Sequence, residues 1–174
     1  MSRPGRSSSA SWGEDRAFGA TPSRAAAYRP AMSVSGSESV TINAPLADVL
    51  SVIRDVDGQP SWFPGTISAE VLETDADGLP AKARMVNDMK VAKDEFELVY
   101  TQGETSVSWK LAAPSKGQKS QVGSWTLVDK GGKTEATLSL DVDSALPVPG
   151  FMQKKVLKDT LKNATQALKK HCEA

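Results

Sequence analysis

Residues 123–142 read GSWTLVDKGGKTEATLSLDV. Gly123, Trp125 and Leu127 alternate with Ser124 and Thr126, and Ala136, Leu138, Leu140 and Val142 alternate with Thr137, Ser139 and Asp141. Because successive side chains of a strand point to opposite faces, this alternation describes two strands, each buried on one side only. Between them, Lys130-Gly131-Gly132-Lys133 supplies two glycines in succession, which suits the positive φ angles of a tight type I′ turn. Two half-buried strands joined by such a turn make an antiparallel hairpin.

The pattern repeats upstream. Val40 and Ile42 alternate with Thr41 and Asn43; Ile67, Ala69 and Val71 follow, with a turn at Asp75–Gly78. Ala81, Ala83 and Met85 share one face while Lys82 and Arg84 take the other, and Asn87-Asp88 is the expected turn after them. Asp94, Phe96, Leu98 and Tyr100 oppose Lys93, Glu95 and Glu97; Val107, Trp109 and Leu111 oppose Ser106, Ser108 and Lys110. Short strands linked by tight turns predict an antiparallel sheet. Helices bracket it. Asn43-Ala44-Pro45 predicts a helix start, with Asn43 as the cap, followed by Leu46, Val49, Leu50 and Ile53 on one face. Asp57-Gly58-Gln59-Pro60 ends that helix, leaving room for one further turn at Ser61–Gly65. After Pro147-Val148-Pro149-Gly150, a long helix places Met152, Val156, Leu157, Leu161, Ala164 and Leu168 on one apolar stripe. The order is β-α-α-β6-α, an α+β domain with helices packed on one face of an antiparallel sheet of about seven strands.

The chain has 174 residues and a formal net charge of +0, enough for one domain and without a global pull toward nucleic acid. The balance is uneven: residues 1–36 hold five arginines against Glu14 and Asp15, so they carry +3 and the remainder −3. These 36 residues show no helix or strand period and are expected to be disordered, with the domain spanning 37–174. They lack the apolar core of a secretory signal, and their Arg- and Ser-rich composition leaves a transit peptide open. The reading preferred on sequence is an over-long start, with Met32 the initiator. The single cysteine, Cys172, excludes an internal disulfide and fits a reducing, cytoplasmic setting. No apolar run approaches the roughly 20 residues that span a bilayer.

Several strings, in this order, resemble the START-like, birch-pollen-allergen-like superfamily, and within it the bacterial polyketide cyclase/dehydrase and lipid-transport (coenzyme Q-binding-like) branch. They are Ile42-Asn43-Ala44-Pro45, Trp62-Phe63-Pro64, Val107-Ser108-Trp109, Gly123-Ser124-Trp125-Thr126-Leu127 and Leu146-Pro147-Val148-Pro149-Gly150-Phe151. The resemblance implies a helix-grip fold, a curved sheet wrapped around the C-terminal helix, with a cavity between them that holds a sterol, lipid, quinone or polyketide. Only some members of the superfamily catalyse a reaction. On this reading the pocket is lined by Met85, Phe96, Leu98, Tyr100, Trp109 and Trp125 from the sheet and by Phe151, Leu157 and Leu161 from the helix. Trp62 and Phe63 form its rim or staple the first helices together.

Chemistry-bearing residues are few. His171 is the only histidine, three residues from the C-terminus, and with Cys172 beside it no zinc set or Ser–His triad can be assembled. There is neither a G-x-G-x-x-G nor a Walker loop, so no metal, nucleotide or other cofactor is expected. Asp94 and Tyr100 are the candidate acid–base pair for a cyclase or dehydratase; Asp94 faces either the interior or the wet end of its strand, and the wet end is the expectation. Arg84 is expected in solvent. The expected function is therefore carriage of a small hydrophobic molecule by a monomer or weak dimer, with a cyclase as the alternative. A second alternative is a regulatory or membrane-surface interaction protein that uses the basic stripe of Lys154, Lys158 and Lys162, with Lys155, Lys169 and Lys170 near it. Nucleic acid is not an expected partner.

Overall fold

The computed structural model describes residues 33–174. The transit-peptide and Met32-start readings, and the disorder reading up to residue 32, lie outside those residues, whereas residues 34–36, expected to be disordered, are strand. Seven strands form one antiparallel sheet in the order β1-β7-β6-β5-β4-β3-β2: β1 is Val34–Ile42, β2 Thr66–Thr74, β3 Pro80–Asp88, β4 Lys93–Gln102, β5 Ser106–Leu111, β6 Gln118–Asp129 and β7 Thr134–Ser144. Helix α1 spans Leu46–Arg54, a 3-10 turn covers Gln59–Ser61, and α2 spans Gly150–Cys172. The element order is the one expected, although β1 begins at Val34, paired with Val142, several residues before its alternation becomes visible.

The decisive hairpin forms as its sequence predicts. Gly131 and Gly132 take φ of 72° and 89°, and the Lys130 amide donates to the Lys133 carbonyl. Register shifts in the β2–β3 ladder and between Gln118 and Ser120 in the β6–β7 ladder add local twist, which helps curl the sheet. The concave face carries Ala83, Met85, Phe96, Leu98, Tyr100, Val107, Trp125, Leu127, Leu138 and Leu140 into one buried core.

Gly123 is required by space. It stands opposite Trp109 in the β5–β6 register, and a Cβ there would lie 2.4 Å from Trp109 Cε2 and 2.7 Å from Leu140 Cδ2. The indole occupies the volume a side chain would need. Gly123→Ala is expected to cost about 1–3 kcal/mol through overpacking, read as a lower urea midpoint. An unchanged midpoint would mean that Trp109 moves aside freely.

Two local expectations are corrected. Asn43 does not cap α1: the helix starts at Leu46, the Pro45 carbonyl accepts from the Asp48 and Val49 amides, and the Asn43 side chain is two residues too early to reach the first turn. The backbone N–H of Asn43 instead donates to Glu173 Oε1 at 2.7 Å. Met152 and Val156 do not share the buried stripe of α2, whose buried residues are Leu157, Leu161, Ala164, Thr165 and Leu168. The cause is helical geometry: at about 100° per residue both point to the side opposite Leu157, Leu161, Ala164 and Leu168. Lys169 Nζ donates to the Thr41 carbonyl at 2.8 Å and to Glu173 Oε1 at 2.7 Å, fastening the C-terminal end of α2 to the end of β1. α2 then runs back along β1 and β7.

Candidate functional site

The concave face between the sheet and α2 brings together most of the residues expected to line a pocket. Met85, Phe96, Leu98, Tyr100 and Trp125 are buried on the sheet side, Leu157 and Leu161 on the helix side, and all belong to one core. Alternation explains the sheet contribution: Met85 pairs with Phe96 across β3–β4, and Tyr100 with Trp109 across β4–β5. Trp109 is half-buried, its ring tilted against Tyr100 with centroids 6.2 Å apart. Phe151 is not brought into the group; it is 76% exposed at the start of α2. Trp62 is buried, edge-on to Phe63 at 5.5 Å and stacked on His171 at 6.2 Å, so it joins the segment after α1 to the end of α2.

Asp94 corrects another expectation. It is 2% exposed and shares the inner face with Phe96, Leu98 and Tyr100, rather than meeting water at the strand end. Two donors from the β5–β6 loop and one from the first residue of β6 enclose it: Ser115 Oγ at 2.8 Å and Gln118 Nε2 at 3.2 Å donate to Oδ2, and the Gly117 amide donates to Oδ1 at 3.2 Å. Gly117 allows this approach, because a Cβ there would lie 2.4 Å from Met89 Sδ and 2.8 Å from Asp94 Oδ2. A buried carboxylate tolerates its burial only with such partners. With its oxygens engaged by the protein, Asp94 reads as the anchor of the loop. Residues 114–119, PSKGQK, have the composition of a loop, which gives no sign that Ser115, Gly117 and Gln118 converge on a residue more than twenty positions earlier.

Other candidates are electrostatically quiet. Burial pushes the Tyr100 phenol above its ordinary value, which weakens it as a proton donor. Burial, then the neighbouring charges of Glu173 and Asp48, push the Cys172 thiol up to about 11, so it is not a nucleophile near neutrality. Arg84 is exposed as expected, within 3.6–3.8 Å of Glu70, Glu95 and Glu97 on the outer face. Among the described residues, no three His, Cys, Asp or Glu side chains gather as a metal-binding group. No helix among them is long and apolar enough to cross a membrane. A surface depression of about 420 Å³ lies elsewhere, between the end of α1 and the β2–β3 turn, lined by Arg54, Asp57, Val71 and Leu79 among others and by none of the expected pocket residues.

The fold is shared with solved structures. A START superfamily protein from Mycobacterium smegmatis superposes with a TM-score of 0.75 at 26% identity, over 80% of this chain and 97% of that one. The Zhui aromatase/cyclase from Streptomyces sp. R1128 gives 0.68 at 16% identity, covering 81% and 94%. A STAR-related lipid transfer protein from Xanthomonas axonopodis gives 0.63 at 16% identity, covering 80% and 86%. At such identities the last two show a common fold alone. No curated protein sequence matches the chain significantly. Residues 33–173, nearly all of the described chain, match the family described as polyketide cyclase / dehydrase and lipid transport. The chain, with its seven-stranded curved sheet and long C-terminal helix, therefore belongs to that family and is a START-type ligand-binding domain.

Proposed function

We propose that the domain is a carrier of a small hydrophobic molecule, of lipid, quinone or polyketide-like character, held between the concave face and α2. The observation that carries this reading is the arrangement of α2. Its first buried residue is Leu157, so the seven residues from Gly150 to Val156 sit over the fold without burying an apolar side chain. Lifting that stretch gives access to the apolar face beneath at little cost in lost apolar contact. The face itself offers Met85, whose unbranched chain adapts to irregular shapes, and the broad rings of Phe96, Tyr100 and Trp125. We place the carrier in the cytoplasm, where a free Cys172 would stay reduced.

A cyclase reading has one observation in its favour, the inward position of Asp94 on the strand that also carries Tyr100. Three protein donors on Asp94 weigh against it, since a general base must offer a free lone pair to the substrate proton. Trp109 and Trp125 provide the test. Titration with fatty acids, quinones and aromatic polyketides, followed by tryptophan emission, is expected to reveal a ligand binding near micromolar, with the response diminished in Trp125→Phe. Silence across the panel, together with native mass spectra that show only the bare chain from its own host, would overturn the carrier.

A further inference from the structure

The first two turns of α2 present large apolar side chains to water. Phe151 is 76% exposed, Val156 61% and Met152 47%. At about 100° per residue they fall in one arc on the side opposite Leu157, Leu161, Ala164 and Leu168. Exposed Lys155 lies within that arc, and exposed Lys154 and Lys158 flank it.

A second element reaches the same end of the fold. The turn between β3 and β4 carries Val91, 79% exposed, between exposed Lys90 and Lys93. The β5–β6 segment beside it adds exposed Lys116 and Lys119. These pieces form one surface: the Gly117 amide is bonded to Asp94 at the start of β4, and the Gly117 carbonyl accepts from the Ala145 amide on the approach to α2. Within the same segments the exposed acidic residues are Asp88 and Asp159. The concentration of lysine runs against the −3 carried by residues 37–174. The turns at the other end of the sheet are mixed in charge, with Asp77, Glu104 and Asp129 against Lys130 and Lys133.

We propose that this end of the domain docks onto an anionic lipid bilayer, with Phe151 and Val91 entering the headgroup layer and the lysines facing lipid phosphates. Apolar tips set among lysines are the composition of an interfacial anchor. The exposed apolar side chains come from two separate elements and are interspersed with lysines, which suits the headgroup layer of an anionic bilayer. A second copy of this chain would bring lysine against lysine, and residues 1–36, at +3, have the wrong charge to cover the surface. The inference goes beyond ligand carriage and does not depend on it.

The test uses the full chain, sedimented with vesicles of phosphatidylcholine alone or of phosphatidylcholine containing phosphatidylglycerol. Binding is expected only to the anionic vesicles, and it should fall steeply with salt, because the Debye length shortens to about 10 Å at 0.1 M. Lys154→Glu combined with Lys155→Glu should lower the affinity at least about tenfold. Phe151→Ser should lower it several-fold while circular dichroism and the thermal midpoint stay unchanged. Absence of anionic-vesicle binding at low salt overturns the proposal. So does undiminished binding by the variants, which would assign it to the N-terminal arginines. Should Phe151→Ser instead split a dimer on size-exclusion chromatography, the surface belongs to a second copy.

Discussion

Asp94→Ala is expected to destabilise the domain by about 3–4 kcal/mol, because it removes one acceptor group and leaves three donors without a partner in a dry site. Ser115 Oγ can rotate toward other acceptors, but the Gly117 amide is fixed by the loop backbone, and Gln118 is itself buried with its Oε1 already lacking a partner. The loss should loosen the β5–β6 loop and, through the Ala145–Gly117 hydrogen bond, the approach to α2. Asp94→Asn separates this role from catalysis. One oxygen remains to accept from Gly117, while the new amide nitrogen faces the donors at Oδ2, so the cost should be smaller, about 1–2 kcal/mol. Urea denaturation followed by tryptophan emission reads both. An anchor predicts this graded loss of stability. A general base predicts instead two stable proteins, both without cyclase activity, and an Asp94→Ala variant as stable as the parent would remove the anchoring role.

Asp94 also shows where sequence reading is strong and where it stops. Its strand face follows from alternation with Phe96, Leu98 and Tyr100, because a sheet buried on one side imposes a two-residue period. The same period placed Met85 and Trp125 correctly on the inner face, and the glycine pair at 131–132 announced its turn through backbone sterics alone. The partners of Asp94 have no such signature. They belong to an irregular loop and to the first residue of β6, whose arrangement depends on contacts with β4 made only once the sheet has closed. Asn43 illustrates the same limit at a helix end: its capping propensity was real, but the helix begins past its reach and the Asn43 backbone N–H is used by Glu173 at the far end of the chain. In α2 the period that joins Leu157, Leu161, Ala164 and Leu168 excludes Met152 and Val156, which point to the opposite side and are exposed. An apolar residue within a helix joins the buried face only if its angle about the axis agrees.

That distinction sets the second large expected effect, a contrast within a single helix. Leu161 is buried over β1, with Cδ1 3.1 Å from where a Cβ on Gly36 would stand, so the strand lacks a side chain where the leucine packs. Leu161→Ala removes most of this contact and leaves a hole that the backbone of β1 cannot readily fill, an expected cost of about 2–5 kcal/mol. Val156→Ala, little more than one turn earlier, should change stability by less than about 0.5 kcal/mol, since it deletes atoms already in water and alanine is the better helix former. Val156 and Leu161 point to opposite sides of α2, so equal losses in urea denaturation would mean that the Val156 side is covered as well and would remove the basis for lifting the first turns. A ligand sharpens the comparison. A molecule held beneath α2 stabilises the folded state in proportion to the logarithm of its concentration. It should also fill part of the space left by Leu161→Ala, so saturating ligand is expected to narrow the gap between the two variants. A gap that stays constant as ligand is added would place the bound molecule away from Leu161.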